Sequence, residues 1–182
     1  IYRDWADSFG SLLLASPKGT RTIEGTDYSM GGSDSAVAES PAGNFIQVWE
    51  AGYWDGYTHE WSNVRYSIVD PCGSSVRGVT NLTDNRGTTL DTFEYEPVVA
   101  VTPDGSTGIA WGRTIVDSSS GTNRYLYNIY FAVLGRSGEV KVAPLALTGN
   151  TQWYQSDPPI YGAPRYRDPR ISATSDGRFV LA

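Results

Sequence analysis

The chain is poor in the side chains from which compact catalytic and metal centres are most often built. One cysteine, Cys72, stands alone in 182 residues, so no internal disulfide frames the fold, and the chain neither requires nor excludes an oxidising compartment. One histidine, His59, leaves no multi-histidine metal site to assemble from this chain. Lysine and arginine form no cluster and the net charge is −6, which argues against a nucleic-acid surface. No apolar run approaches the roughly 18 residues a membrane span needs. A 3.6-residue apolar period nowhere persists over the roughly 11 residues that would mark a helix.

What is abundant points to β structure. Twenty glycines, twelve tyrosines and six tryptophans fit short strands joined by many turns. A hydrophobic fraction of 40% with 19% charged residues fits a globular chain, long enough for one domain or two small ones.

The chain also repeats itself. Gly43-Asn44-Phe45-Ile46-Gln47-Val48-Trp49 returns as Gly105-Ser106-Thr107-Gly108-Ile109-Ala110-Trp111, at an offset of 62 (105 less 43). Val37-Ala38 and Pro41 recur at that offset as Val99-Ala100 and Pro103. A third copy opens at Pro169 and runs through Asp176-Gly177 to Phe179-Val180-Leu181-Ala182. The last copy stops one residue short of the tryptophan position, and the expectation is that the chain belongs to a larger protein or assembly.

Each copy reads as four strands. The first covers 36–40, 98–102 and 170–174, and the second 45–49, 108–111 and 179 onward, with Gly43, Gly105 and Gly177 in the turns between them. A second hairpin aligns at an offset of 65: Val64–Val69 with Ile129–Leu134, Gly73 with Gly138, and Leu82-Thr83 with Leu147-Thr148 at the end of the fourth strand. Leu12, Leu14 and Gly19 match the third strand and turn of an earlier copy more weakly. Four-stranded units of this length are the signature of propeller blades, whereas an immunoglobulin-like sandwich does not require a recurring Gly-to-Trp segment. The expected fold is therefore all-β, a β-propeller fragment of about three blades. Residues 1–32 would form a half-blade, 33–95 and 96–167 complete blades, and 168–182 the start of the next. Small residues such as Ala36, Ala38, Ala100, Ser172 and Ala173 suit an inner strand beside a central channel. Trp49 and Trp111 are expected between blades, each indole N–H finding a partner at the blade edge.

The segment Val101-Thr102-Pro103-Asp104-Gly105 to Trp111, with Asn128-Ile129-Tyr130-Phe131 and Leu147-Thr148, resembles the TolB-type propeller repeat. Tyr66-Ser67-Ile68-Val69-Asp70 through Asn81-Leu82-Thr83 is similar to long-bladed repeats of large secreted bacterial surface proteins. These resemblances cover most of the chain from about Ser33 and imply a fold, with no catalytic set to carry over. They imply an extracellular or cell-surface module acting in structural assembly or protein binding, without enzymatic activity.

Two other readings compete. Arg167-Asp168-Pro169-Arg170-Ile171 is similar to an element at the start of an inner strand in five-bladed glycosidases, where an aspartate at the channel mouth acts on sugar. Its second carboxylate would be Glu96 or Asp34, which hold nearly the same repeat position. Such recurrence also fits a structural feature of the blade junction. The third reading is lectin-like: Tyr53, Trp54, Tyr57 and Trp61, interleaved with acids, lie in the link 50–63 and could stack on sugar rings or simply pack together. The link 112–127 is likewise long. Asp84-Asn85-Arg86-Gly87 and Asp117-Ser118-Ser119-Ser120-Gly121 could hold calcium but lack the ordered ligand spacing of a calcium loop; no other cofactor is expected. Cys72 is expected in an exposed turn. Half-blades at both ends leave strand edges that other chains or further blades would complete, and the two halves could pair across a subunit boundary to give six blades from two copies.

Overall fold

The computed structural model describes residues 12–16, 19–23, 35–54, 60–86, 88–155 and 168–182, of which 12–16, 19–23 and 53–54 by backbone alone. These residues form twelve strands and no helix. Strands β1 (Leu12–Ser16) and β2 (Gly19–Ile23) make an antiparallel hairpin. Strands β3 (Ser35–Glu39), β4 (Phe45–Trp54), β5 (Glu60–Val69) and β6 (Ser75–Asn81) follow as an antiparallel meander. A second meander repeats it with β7 (Asp91–Val101), β8 (Thr107–Asp117), β9 (Arg124–Leu134) and β10 (Val140–Ala146). Strands β11 (Ile171–Ala173) and β12 (Phe179–Leu181) open a third unit. The chain is an all-β propeller fragment: two complete blades between two hairpins.

The repeat glycines set the turns. Gly105 and Gly138 have φ of +85° and +83°, and their N–H groups donate 2.9 Å bonds to the carbonyls of Thr102 and Gly135. L-residues avoid this left-handed region, so the turn chemistry fixes where each hairpin reverses.

The core lies between the blades. Ile46, Val48, Val64, Tyr66, Ile68 and Leu82 of the first blade pack against Ile109, Trp111, Ala132 and Leu134 of the second. Alternation along each strand sends these positions to the facing sides of two neighbouring sheets. The Tyr66 hydroxyl crosses the interface to donate a 2.7 Å bond to the Gly138 carbonyl.

The repeated Leu-Thr pair has a physical role. It lies just beyond the fourth strand, which ends at Asn81 and Ala146, rather than within it. Leu82 N–H donates to the Val64 carbonyl at 2.8 Å, and Val64 N–H donates to Thr83 Oγ1 at 2.9 Å. Leu147 and Thr148 do the same to Ile129, at 2.8 and 3.0 Å. Asn85 and Asn150 complete the clasp, their backbone N–H groups donating to Asn63 and Asn128 Oδ1 at 2.8 and 2.7 Å. The repeated unit is therefore Leu-Thr-x-Asn, which fastens the departing chain to the third strand.

The strands are longer than the sequence reading has them. The links 50–63 and 112–127 are largely continuations of strand: β4 and β5 pair out to Trp54↔Glu60, and β8 and β9 out to Asp117↔Arg124. Cross-strand pairing satisfies the backbone of these extensions, a non-local term that a single-segment reading does not weigh. Strand β7 likewise begins at Asp91, seven residues before Val98, and its outer part touches the first blade through the parallel pair Trp61↔Thr92.

Candidate functional site

The inner strands β3, β7 and β11 finish side by side, where Glu39–Pro41, Val101–Pro103 and Ala173–Ser175 line an open cleft of about 390 Å³. Upstream of these ends, Glu96 and Asp168 hold equivalent positions of the repeat. Glu96 occupies the bulge where β7 shifts register between Tyr95 and Val98, and Asp168 directly precedes the hairpin of the third unit.

Both carboxylates have unusual backbone. Glu96 and Asp168 are the non-glycine residues with positive φ among those described, at +48° and +59°. Each precedes a buried proline, Pro97 or Pro169, which presses its predecessor towards extended conformations. Holding an L-residue there costs on the order of 1–3 kcal/mol, and such strain concentrates at functional positions. The clamp at Asp168 is visible: Arg170 and Ala182 exchange backbone bonds of 2.8 and 3.0 Å on its carboxyl side. Asp34, at the corresponding place before β3, lies outside the described residues.

A carboxylate that the sequence reading passed over lies two residues away. Glu94 is wholly buried. Its Oε1 accepts from Asn85 Nδ2 at 2.8 Å and Arg113 Nη2 at 2.5 Å, and its Oε2 accepts from Trp111 Nε1 at 2.7 Å. Its backbone N–H donates to Ser62 Oγ at 2.6 Å, so the cluster ties both blades together. The Arg113 guanidinium also sits 4.0 Å above the Tyr130 ring. Burial works against the Arg113 charge, but the hydrogen bond and charge of Glu94 outweigh it and hold its pKa above the ordinary arginine value. With both oxygens occupied by donors, Glu94 anchors β7 beside the Glu96 bulge. The signal that could have found it is charge on the buried phase of an alternating strand, opposite an arginine at the paired position Glu94↔Arg113.

Trp111 meets the expectation for its indole, which Glu94 receives. Trp49 departs from it: the side chain is buried, and Nε1 meets no hydrogen-bond partner among the described residues. Both tryptophans sit in mid-strand instead of closing the second strand, because β4 and β8 run on.

Of the aromatic candidates, Tyr53 pairs with Trp61 across the outer part of β4 and β5, and Trp54 pairs with Glu60. The half-buried Trp61 therefore belongs to a strand and not to a free link. Tyr57 lies outside the described residues, as do the side chains of Tyr53 and Trp54. A second aromatic group stands on the extension of the next blade, where Tyr125 and Tyr127 stack with centroids 6.3 Å apart and Tyr154 follows at 6.1 Å from Tyr127.

Asp117 of the serine-rich turn is held low, to about 2, by the Ser119 hydroxyl and backbone and by Arg124. Its Oδ2 is ion-paired with Arg124 Nη2, so a cation there would have to displace an arginine. The described residues contain no group of three or more His, Cys, Asp or Glu side chains placed to hold a metal ion. Cys72 is exposed in its turn.

No protein-family model matches the chain, and no curated protein matches it. Among solved structures it is similar to the endo-arabinase of Bacteroides thetaiotaomicron VPI-5482, at 14% identity and a TM-score of 0.45 over 94% of this chain. The chain spans 59% of the length of that protein.

Proposed function

We propose that this chain is part of a propeller that acts on glycans, with Asp168 and Glu96 as the acidic pair. The observation that carries the reading is the repeated strain: two carboxylates at one repeat position, each in the left-handed region against the pull of a following proline. Glycoside hydrolysis uses two carboxyl groups about 5–10 Å apart, one giving a proton to the leaving oxygen while the other attacks or activates water. Aromatic side chains on the extended β4–β5 hairpin, Tyr53, Trp54, Tyr57 and Trp61, would offer stacking faces to the same polysaccharide. In this reading the protein works outside the cell or at its surface, where such substrates occur.

The test is release of reducing ends from a panel of α- and β-linked glycans. Asp168→Asn is the informative variant, because asparagine tolerates positive φ and the change removes charge without a new backbone demand. Turnover in the native protein that falls at least 100-fold in Asp168→Asn and in Glu96→Gln, with an unchanged circular dichroism spectrum, is the expected result. Turnover indifferent to both variants overturns it.

A second reading, a non-enzymatic surface module working through protein contacts, is favoured by the apolar side chains standing out on the outer strands, among them Val76, Val79 and Val140. It predicts no turnover on any glycan and specific capture of a protein partner.

A further inference from the structure

The bulge in β7 decides which face of the strand Glu96 leaves, and the pairing shows what stands against it. Glu94 lies opposite Arg113 and Tyr95 opposite Gly112, but the next pair is Val98 with Ala110. Two residues, Glu96 and Pro97, therefore oppose one, Trp111. The extra residue reverses the alternation of the strand. Before the bulge Glu94 turns to the blade interface, where it meets Trp111. After it Val99 and Val101 pack against the same core, at the opposite parity along the chain. A regular ladder would carry Glu96 onto the face of Glu94, directly against Trp111. Glu96 is instead half-buried, whereas Glu94 and Trp111 are wholly buried.

The place on that face is already taken. The Trp111 ring belongs to the core shared by the two blades, and its single N–H goes to Glu94 Oε2. This bond runs diagonally across the strand pair, from the residue opposite the bulge to the residue two before Glu96. Arg113 and Asn85 hold the other oxygen of Glu94, so the near end of the diagonal is fixed as well. A second carboxylate on this face would be buried beside donors that Glu94 already occupies, and burying a charge without a partner is strongly disfavoured.

We infer that Trp111 is a positioning residue for Glu96. By filling the face that Glu96 would enter, and by tying itself to Glu94, it holds the bulge and with it the left-handed backbone at Glu96. That conformation is one glycine adopts freely, and here a carboxylate keeps it at φ +48°. The catalytic consequence rests on the proposed role of Glu96 in glycan hydrolysis; the hold on the backbone does not.

The experiment compares the urea midpoints of Glu96→Gly and Glu96→Ala in the native background, in Trp111→Phe and in Tyr66→Phe. Glycine is favoured over alanine where φ is positive and disfavoured in extended strand, so the order of the two reports the backbone after the carboxylate is gone from both. Trp111→Phe keeps an aromatic ring and loses the N–H. Tyr66→Phe is the control, because it removes a hydrogen bond from the same interface, the one to the Gly138 carbonyl, away from the bulge. The expected result is glycine above alanine in the native background and in Tyr66→Phe, and the reverse order in Trp111→Phe. Should Trp111→Phe fail to fold, Glu94→Leu with Arg113→Met removes the acceptor of the indole without stranding a buried charge, and the same reversal is expected there. Glycine above alanine in every background overturns the inference, as does alanine above glycine in the native one. On any glycan the native chain turns over, Trp111→Phe is expected to lower kcat roughly 10-fold or more with KM within about 2-fold. Tyr66→Phe is expected to leave kcat unchanged, and an unchanged kcat in Trp111→Phe overturns the positioning role. A native chain without turnover overturns the glycan reading alone, since the order of midpoints is read without substrate.

Discussion

Glu94 places a charge in the interior of the protein. Glu94 has no exposed surface and is held by Asn85, Trp111 and Arg113 together. Removing one partner of a buried pair strands the other, at a cost of about 3–5 kcal/mol, whereas replacing both by apolar groups is often near neutral. Glu94→Leu and Arg113→Met are each expected to lower stability by about that amount. The double variant should recover most of the loss, and urea unfolding of the three proteins checks it. Two glycines make a second comparison. Gly177 has φ +86° and open space within 4 Å of where a methyl group would project, so Gly177→Ala meets backbone strain alone, about 1–2 kcal/mol. At Gly138, φ +83°, the same methyl would stand 2.5 Å from Arg77 Cδ and 2.9 Å from Ile68 Cδ1. Gly138→Ala is therefore expected to cost about 1–3 kcal/mol more, and a shared melting series ranks the two.

At the scale of the element, the first turn of each blade holds a carboxylate in two copies of three. Thr102 Oγ1 donates to Asp104 Oδ1 at 2.5 Å and Ser106 N–H donates to the same oxygen at 3.1 Å. The Thr102 hydroxyl, then the Ser106 N–H, pull Asp104 down to about 2. Thr174 and Asp176 repeat the arrangement, with Arg178 as the larger cause of the lowered value. Ala42 stands at this place in the first copy, so that turn has no carboxylate to titrate. A carboxyl whose folded pKa lies below its unfolded one stabilises fully above the unfolded value, about 3.9, and loses its contribution as pH falls through the folded value. Stability is thus expected to decline between about pH 4 and pH 2. Asp104→Asn should be less stable at pH 7 and show a shallower decline across that window, read from urea midpoints at stepped pH.

At the scale of the whole molecule, the blades share one core instead of owning one each. The buried cluster draws on both, and the Tyr66 hydroxyl spans the interface to Gly138. Tyr66→Phe leaves a buried carbonyl without its donor and is expected to cost about 1–3 kcal/mol. Because the cluster is continuous, the two blades should unfold as one unit. Coincident midpoints by tryptophan fluorescence and far-ultraviolet circular dichroism are the expected outcome, and two separated transitions would show that the blades are independent.

The sequence by itself determined the fold class, the blade period and the turns, because these rest on local chemistry: glycines at positive φ, alternating apolar positions and a recurring Leu-Thr pair are written one residue at a time. Glu96 and Asp168 were legible as a repeated position before proline, although their left-handed backbone was not, since it arises from the bulge in β7 and the clasp between Arg170 and Ala182. Tertiary structure alone decided the rest. Residues 50–63 and 112–127 read as links because their hydrophobicity is mixed, yet cross-strand pairing makes most of each a strand. Glu94 carries no local mark of its role, and it became a fully buried anchor only when folding set Asn85, Trp111 and Arg113 around it. Trp49 and Trp111 were alike in the repeat, and it is folding that brings the Glu94 carboxylate of the neighbouring strand to the Trp111 indole. Partners supplied by distant segments are not encoded in local pattern, and it is those partners that decide what a buried polar group costs.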